Sequence, residues 1–274
     1  MVSPPPLFDL ATRMHRRSRA KTLGVADFLH REAALQLQER LQDVNKSFTK
    51  NAFIGWLPEV WRQAFSPDLM VLDDEVLDLP PAGFDLLVHG LCLHSANDPV
   101  GQLVQMRRAL RPDGLLLAAL FGGQTLHELR FAMAQAESEV EGGISPRISP
   151  MGDVRDLGNL LQRAGLALPV ADASTLTVTY ETPLHLMREL RAMGEGNIMH
   201  ERRRQPLMRT TLHRACEIYV QEFGLPDGRI PATFEIIFLT GWAASKTQPK
   251  PLKPGSATAR LADALGTIEY KEPQ

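Results

Sequence analysis

Cysteine is nearly absent from the chain. Two residues in 274, Cys92 and Cys216, are too few and too far apart for a disulfide framework or a thiolate zinc site, and they fit a reducing compartment. No apolar run approaches the ~20 residues that cross a bilayer, and the longest, 115–121, is strand-sized. Neither sign of charge dominates. With 30 basic against 32 acidic residues the net charge is -2, so no global attraction pulls the chain to nucleic acid or to an anionic membrane. There is no internal repeat, no linker, no phosphate-binding P-loop and no Ser-His-Asp set on a nucleophile elbow. His127, His185, His200 and His213 lack acids or cysteines at ligand spacing, so no metal is expected.

What is present is the composition of a globular protein, 44% hydrophobic and 23% charged. Residues 26–44 have helical spacing, with Asp27 placed to cap them. A short buried strand at 52–54 runs into Gly55 and then a helix at 58–65 opened by Pro58. Strands are expected at 69–75 and 84–94. A helix at 99–110, capped by Asn97 or Asp98, then turns through Arg111-Pro112-Asp113-Gly114 into a strand at 115–121. These runs are apolar throughout, which suits a sheet covered on both faces. Strand, helix and strand at short intervals mean parallel strands with right-handed crossovers, and so an α/β fold.

Further along, Thr125 and Glu128 predict a capping box for a helix that Gly142 and Gly143 stop. A helix capped by Asp153 closes at Gly165, and 175–180 alternates like a half-exposed strand. Helices at 183–193 and 206–223 read as an insertion near 183–224, before a last strand at 231–243. The stretch 245–260 is proline-rich and expected to be extended or mobile. The basic run "TRMHRRSRAK" (12–21) reads as a solvated helix, as does the helix end "HERRRQPLMR" (200–209). Met187, Met193, Met199 and Met208 read as core filler or a plastic partner surface.

"FGGQTLHELR", "EVEGGISPRISP", "DVRDLGNLLQRAG", "GRIPATFEIIFLTGW" and "GSATARLADAL" resemble one group of class I S-adenosylmethionine (SAM)-dependent methyltransferases. This group contains the mitochondrial complex I assembly factor that acts as an arginine hydroxylase. The malonyl-carrier-protein methyltransferase of biotin synthesis is a more distant relative. The similarity is to alphaproteobacterial members and runs from Phe8 to Leu265. It implies a Rossmann-like, mostly parallel sheet with an antiparallel C-terminal strand. The organisation expected is an N-terminal helical segment (1–47), a methyltransferase-like domain (48–265) and a tail (266–274). Phe8-Asp9 leaves seven residues before the similarity starts, too few for a transit peptide, so a bacterial cytoplasm is expected rather than a mitochondrial matrix.

The resemblance also implies where SAM would lie, at the carboxyl ends of the strands. Gly55 falls at the first glycine of the cofactor loop, Asp73 with Asp74 at the acids that meet adenine, and Leu91 in the segment lining the cleft. His94 matches the family histidine and is placed either for acid–base work or for packing. Asp73 and Asp74 read equally as solvated turn acids. Several positions depart from the pattern. Phe53 replaces the acid that pairs with the cofactor's ammonium, and Trp56 and Pro58 crowd or stiffen the loop. Ser95 stands where relatives carry an aromatic, and Gln124 where they carry an acid. Between Ile54 and Phe84 there is room for one βα repeat where the family has two, a βαβ unit taking roughly 30 residues. Two functions follow as expectations. One is a SAM-dependent methyltransferase, or a hydroxylase on that scaffold, acting in respiratory-complex assembly. The other is a non-catalytic partner of an active paralogue or a respiratory subunit.

Overall fold

The computed structural model describes residues 6–246, 248, 266 and 267. The chain divides into two compact units, Met1–Ala244 and Ser245–Gln274, and every helix and strand described lies in the first. The proline-rich stretch beyond 248 and the motif "GSATARLADAL" lie outside the described residues.

Six strands form one sheet in the order β2-β1-β3-β4-β6-β5. β1 (Asn51–Gly55), β2 (Leu69–Val71), β3 (Phe84–Gly90) and β4 (Leu110–Phe121) are parallel. β6 (Ile230–Trp242) runs antiparallel between β4 and β5 (Ala167–Tyr180). The apolar runs are explained by burial on both faces, because alternate residues of one strand enter opposite cores. Leu115, Leu117 and Ala119 of β4 enter the core built by α2 (Phe28–Gln42), α3 (Pro58–Phe65), α5 (His127–Glu141), α7 (Pro183–Ala192) and α8 (Arg209–Phe223). Leu116, Ala118 and Leu120 enter the core built by α4 (Pro99–Ala109) and α6 (Val154–Arg163). α1 (Leu10–Leu23) lies outside both cores.

The βα count agrees with the spacing of the sequence. β1 and β2 are neighbours, paired from Ala52 with Leu69 to Ile54 with Val71, and only the eight-residue α3 joins them. The insertion is also as expected, since α7 and α8 fall between β5 and β6. Other expectations need correction. β2 ends at Val71, not 75, so Asp73 leaves the sheet in a turn. β5 starts at Ala167, eight residues before the alternating run, because pairing with β6 extends the ladder from Tyr180 back to Ala167. The Thr125–Glu128 capping box does not form. Leu126 is the N-cap in a left-handed conformation, Thr125 Oγ1 donates to the Glu235 carbonyl, and Glu128 accepts from Thr233. Both polar groups are recruited by β6 instead of by their own helix.

Gly90, the last residue of β3, is where a side chain is excluded. A Cβ there would sit 2.5 Å from the Trp61 ring and 2.7 Å from Phe53. Phe53 stacks on Trp61 with centroids 5.1 Å apart, and Trp61 Nε1 donates to His30 Nδ1 at 3.2 Å. A phenyl ring therefore fills the space beneath the β1 and β3 ends.

Candidate functional site

Two places at the carboxyl edge of the sheet carry chemistry: a closed corner over β1, β2 and β3, and an open cleft beside it. The same helix serves both. α1 is capped by Asp9, whose carboxylate accepts from the Thr12 N–H at 2.9 Å and from its hydroxyl at 2.8 Å. Residues three and four apart share a helix face. Arg13, Arg17 and Ala20 therefore turn into the corner, while Thr12, Arg16 and Arg19 line the cleft.

In the corner Gly55 has φ 146°, and its Cβ position lies 2.8 Å from the Phe53 ring. Trp56 follows, 4% exposed, packed on Ala20 and Cys92 with the Arg17 guanidinium 5.2 Å above its ring. Asp73 is 2% exposed. Its carboxylate accepts from Arg17 at 2.6 and 2.9 Å and pairs with Arg13 at 3.0 Å. Arg13 also donates to the Asp73 carbonyl at 3.0 Å and to Ser95 Oγ at 3.4 Å. Burial by itself would raise the Asp73 carboxyl, but the hydrogen bond and charge of Arg17, then the charge of Arg13, bring it down to about 2. Arg13 and Arg17 of the basic run are therefore not solvated, although His15, Arg19 and Lys21 are exposed. Its i, i+4 arginines reach an acid 56 to 60 residues away, and their spacing was the signal available in the sequence.

Three more titratable groups are sealed here. His89, on β3, is fully buried with neither ring nitrogen bonded, and Gln102 Oε1 is likewise unbonded. Burial lowers His89, and also His30, to about 4. Burial pushes the Cys92 thiol up to about 12 while its Sγ donates to the Gly90 carbonyl at 3.0 Å. Cys216 is only half-buried. A thiol reagent is therefore expected to titrate at most one cysteine in the native protein and both in denaturant. Native-state modification of Cys92 in a Cys216→Ser variant, at the rate of a free thiol, would contradict the sealed corner.

The cleft has a volume of about 800 Å³. Phe121, Phe234, His94 and Ser95 lie at its buried end. His94 packs 4.8 Å from Phe121, and its Nε2 is 3.5 Å from Glu195 Oε2, with side chains 4% and 28% exposed. Burial pulls Glu195 upward, yet the His94 hydrogen bond and the charges of His94, Arg17 and His30 hold it below the usual carboxylate range. Glu195 escaped the sequence reading because it sits in a loop 101 residues from His94. Such a pair can move a proton at His94, or simply fix the ring's orientation.

The sequence candidates divide between these places. His94 lines the cleft; Gly55, Asp73, Asp74 and Leu91 do not. Asp74 is an exposed turn acid whose carbonyl accepts from Gln102. Leu91 is wholly buried in the core at φ 48°. Gln124 donates its backbone N–H to Glu235. Residues 200–208 form no helix, and Arg202 and Arg203 pair with Asp9 and Glu141. Met187 and Met193 line the cleft, Met199 packs on Phe8, and Met208 is exposed. Among the described residues there is no cluster able to hold a metal ion, and no helix is long and apolar enough to cross a membrane.

Comparison with known proteins agrees with this architecture. Residues 55–118 match the methyltransferase domain family. The zebrafish (Danio rerio) mitochondrial arginine-hydroxylase NDUFAF5 is 34% identical over 94% of this chain and 89% of its own. The rat counterpart is matched over 56% of its length. The malonyl-[acyl-carrier protein] O-methyltransferase of Halorhodospira halophila is 34% identical, over 66% of this chain and 59% of that enzyme. A candidate methyltransferase of Bacillus halodurans C-125 shares the fold, with TM-score 0.50 and 15% identity over 76% of this chain and 99% of that one. With a relative matched over nearly the whole of both chains, the protein belongs to the arginine-hydroxylase NDUFAF5 family within the class I SAM-dependent methyltransferase superfamily.

Proposed function

We propose that this chain is a methyltransferase-like protein with an eroded cofactor loop, which serves respiratory-complex assembly by binding an active paralogue or a respiratory subunit. One observation carries the reading. Asp73, the acid that the resemblance offers to adenine, is buried and already holds two arginines from the chain's own α1. The residues present do not fit SAM. A nucleoside against Asp73 would have to displace Arg17, and the Phe53 ring lies 2.8 Å from the Cβ position of Gly55 while Trp56 packs on Ala20 and Cys92. Phe53 stands where the resemblance places the acid that meets the cofactor's ammonium. The assembly role rests on kinship with the NDUFAF5 family alone.

A second reading, an active methyltransferase or hydroxylase, is favoured by the His94–Glu195 pair at the cleft floor. Calorimetric titration with S-adenosylhomocysteine separates the two. Neither heat nor a thermal shift is expected at millimolar ligand. Micromolar binding at one site per chain would overturn the binding-module reading.

A further inference from the structure

The open cleft carries a chemistry that the binding role does not use. Among the described residues, seven arginines line it against one carboxylate, Glu195, which His94 already engages. Three of the seven are neutralised: Arg147 by Glu137, Arg202 by Asp9 and Arg203 by Glu141. The other four, Arg16, Arg19, Arg191 and Arg204, have no ion pair and no side-chain acceptor among the described residues. Arg16 lies against Gly196, and its Nε is buried without a partner. Burial, then the charges of Arg202, Arg19 and Arg191, pull its guanidinium below the ordinary value, so these cations face one another. Arg16 is the half-buried member of the group, while Arg19, Arg191 and Arg204 are exposed; a half-buried cation without a counter-ion among the described residues is relieved by an entering anion.

Behind the arginines the wall is apolar. Phe121, Leu129, Met133, Met187, Leu190 and Phe234 face the cavity, and flexible thioethers adapt to irregular chains. A volume of about 800 Å³ is that of a small-molecule site, not of a flat protein-docking face.

We propose that this cleft binds an amphiphilic anion: an apolar chain carrying a carboxylate or phosphate head. The chain lies along Leu129, Met133 and Met187, and Arg16, Arg19 and Arg191 hold the head by charge-assisted hydrogen bonds. Gly55 and Asp73 take no part, so the site stands whether or not the corner admits a nucleoside.

Calorimetry with dodecanoate, dodecyl phosphate, dodecanol and inorganic phosphate, each below its aggregation concentration, tests this. Both anionic amphiphiles are expected to bind at least about tenfold more tightly than dodecanol, and phosphate alone to give no heat. The tighter of the two identifies the head group. An Arg16→Gln, Arg191→Gln variant, shown folded by its melting curve, is expected to bind dodecanoate about tenfold more weakly and dodecanol unchanged. An Arg19→Gln variant is expected to weaken dodecanoate binding by a smaller factor and to leave dodecanol binding unchanged. Equal binding of dodecanol and dodecanoate would overturn the proposal, as would phosphate binding as tightly as the amphiphiles. So would unchanged affinity in the arginine variants. A glutamate-rich peptide that binds more tightly than dodecanoate would overturn it in favour of protein docking at the arginine mouth.

Discussion

An Asp73→Asn variant is expected to lose about 3–5 kcal/mol of stability, which lowers the melting temperature by roughly 10 °C. Asp73 is 2% exposed and is the shared counter-ion of Arg13 and Arg17. Neutralising it leaves two guanidiniums in the corner with their shared counter-ion gone. Removing one partner of a buried pair costs far more than the pair contributes in total. Replacing Arg17 with methionine in the Asp73→Asn background should therefore recover part of the loss. The Arg31–Asp27 pair serves as the control, since its arginine is 57% exposed and its disruption is expected to be nearly silent. Urea melts of the three variants check the order. An Asp73→Asn protein as stable as wild type would mean that the corner is wet and open.

The second large effect is acid sensitivity. His30 and His89 have ordinary values of 6.5 and folded values of about 4, so between those limits they take up protons only on unfolding. The unfolded chain then binds more protons than the folded one, and stability rises with pH. It is complete above pH 6.5 and falls as the pH drops toward 4. The slope reaches about 2.7 kcal/mol per pH unit where both histidines contribute, and the total is on the order of 5 kcal/mol. The Asp73 contribution has a separate, lower window. Its carboxyl titrates at about 2 when folded and 3.8 in the reference state, so that stability is lost only as the pH falls from near 4 toward 2. A His89→Gln variant should reduce the slope between pH 6.5 and 4 by about half. Melting temperatures that do not change from pH 7 to 5 would contradict the burial of these rings.

The strands and most helices were legible because burial on both faces writes itself into continuous apolar runs. α3 was legible at both ends, with Pro58 at its first turn. What the sequence hid was long-range. The arginines of α1 look like a solvated charged face until Asp73 comes within 3 Å of two of them. Glu195 is an unremarkable loop acid until the fold sets it beside His94. Thr125 and Glu128 have the spacing of a local cap, but β6 offers better partners. His89 gave no signal at all, since a histidine inside an apolar strand carries no pattern of its own. Local periodicity therefore located the strands and the ends at which they stop. Which charges meet there depended on tertiary contacts that no window of sequence contains.

On the reading proposed above, α1 takes the adenosyl position through Arg17, Asp73 and Trp56. A crystal structure grown with saturating S-adenosylhomocysteine tests it most directly. Arg17 is expected to stay bidentate on Asp73, the indole of Trp56 to stay against Cys92, and no nucleoside density to appear at Gly55. Adenosyl density on Asp73, with α1 lifted from the corner, would contradict it.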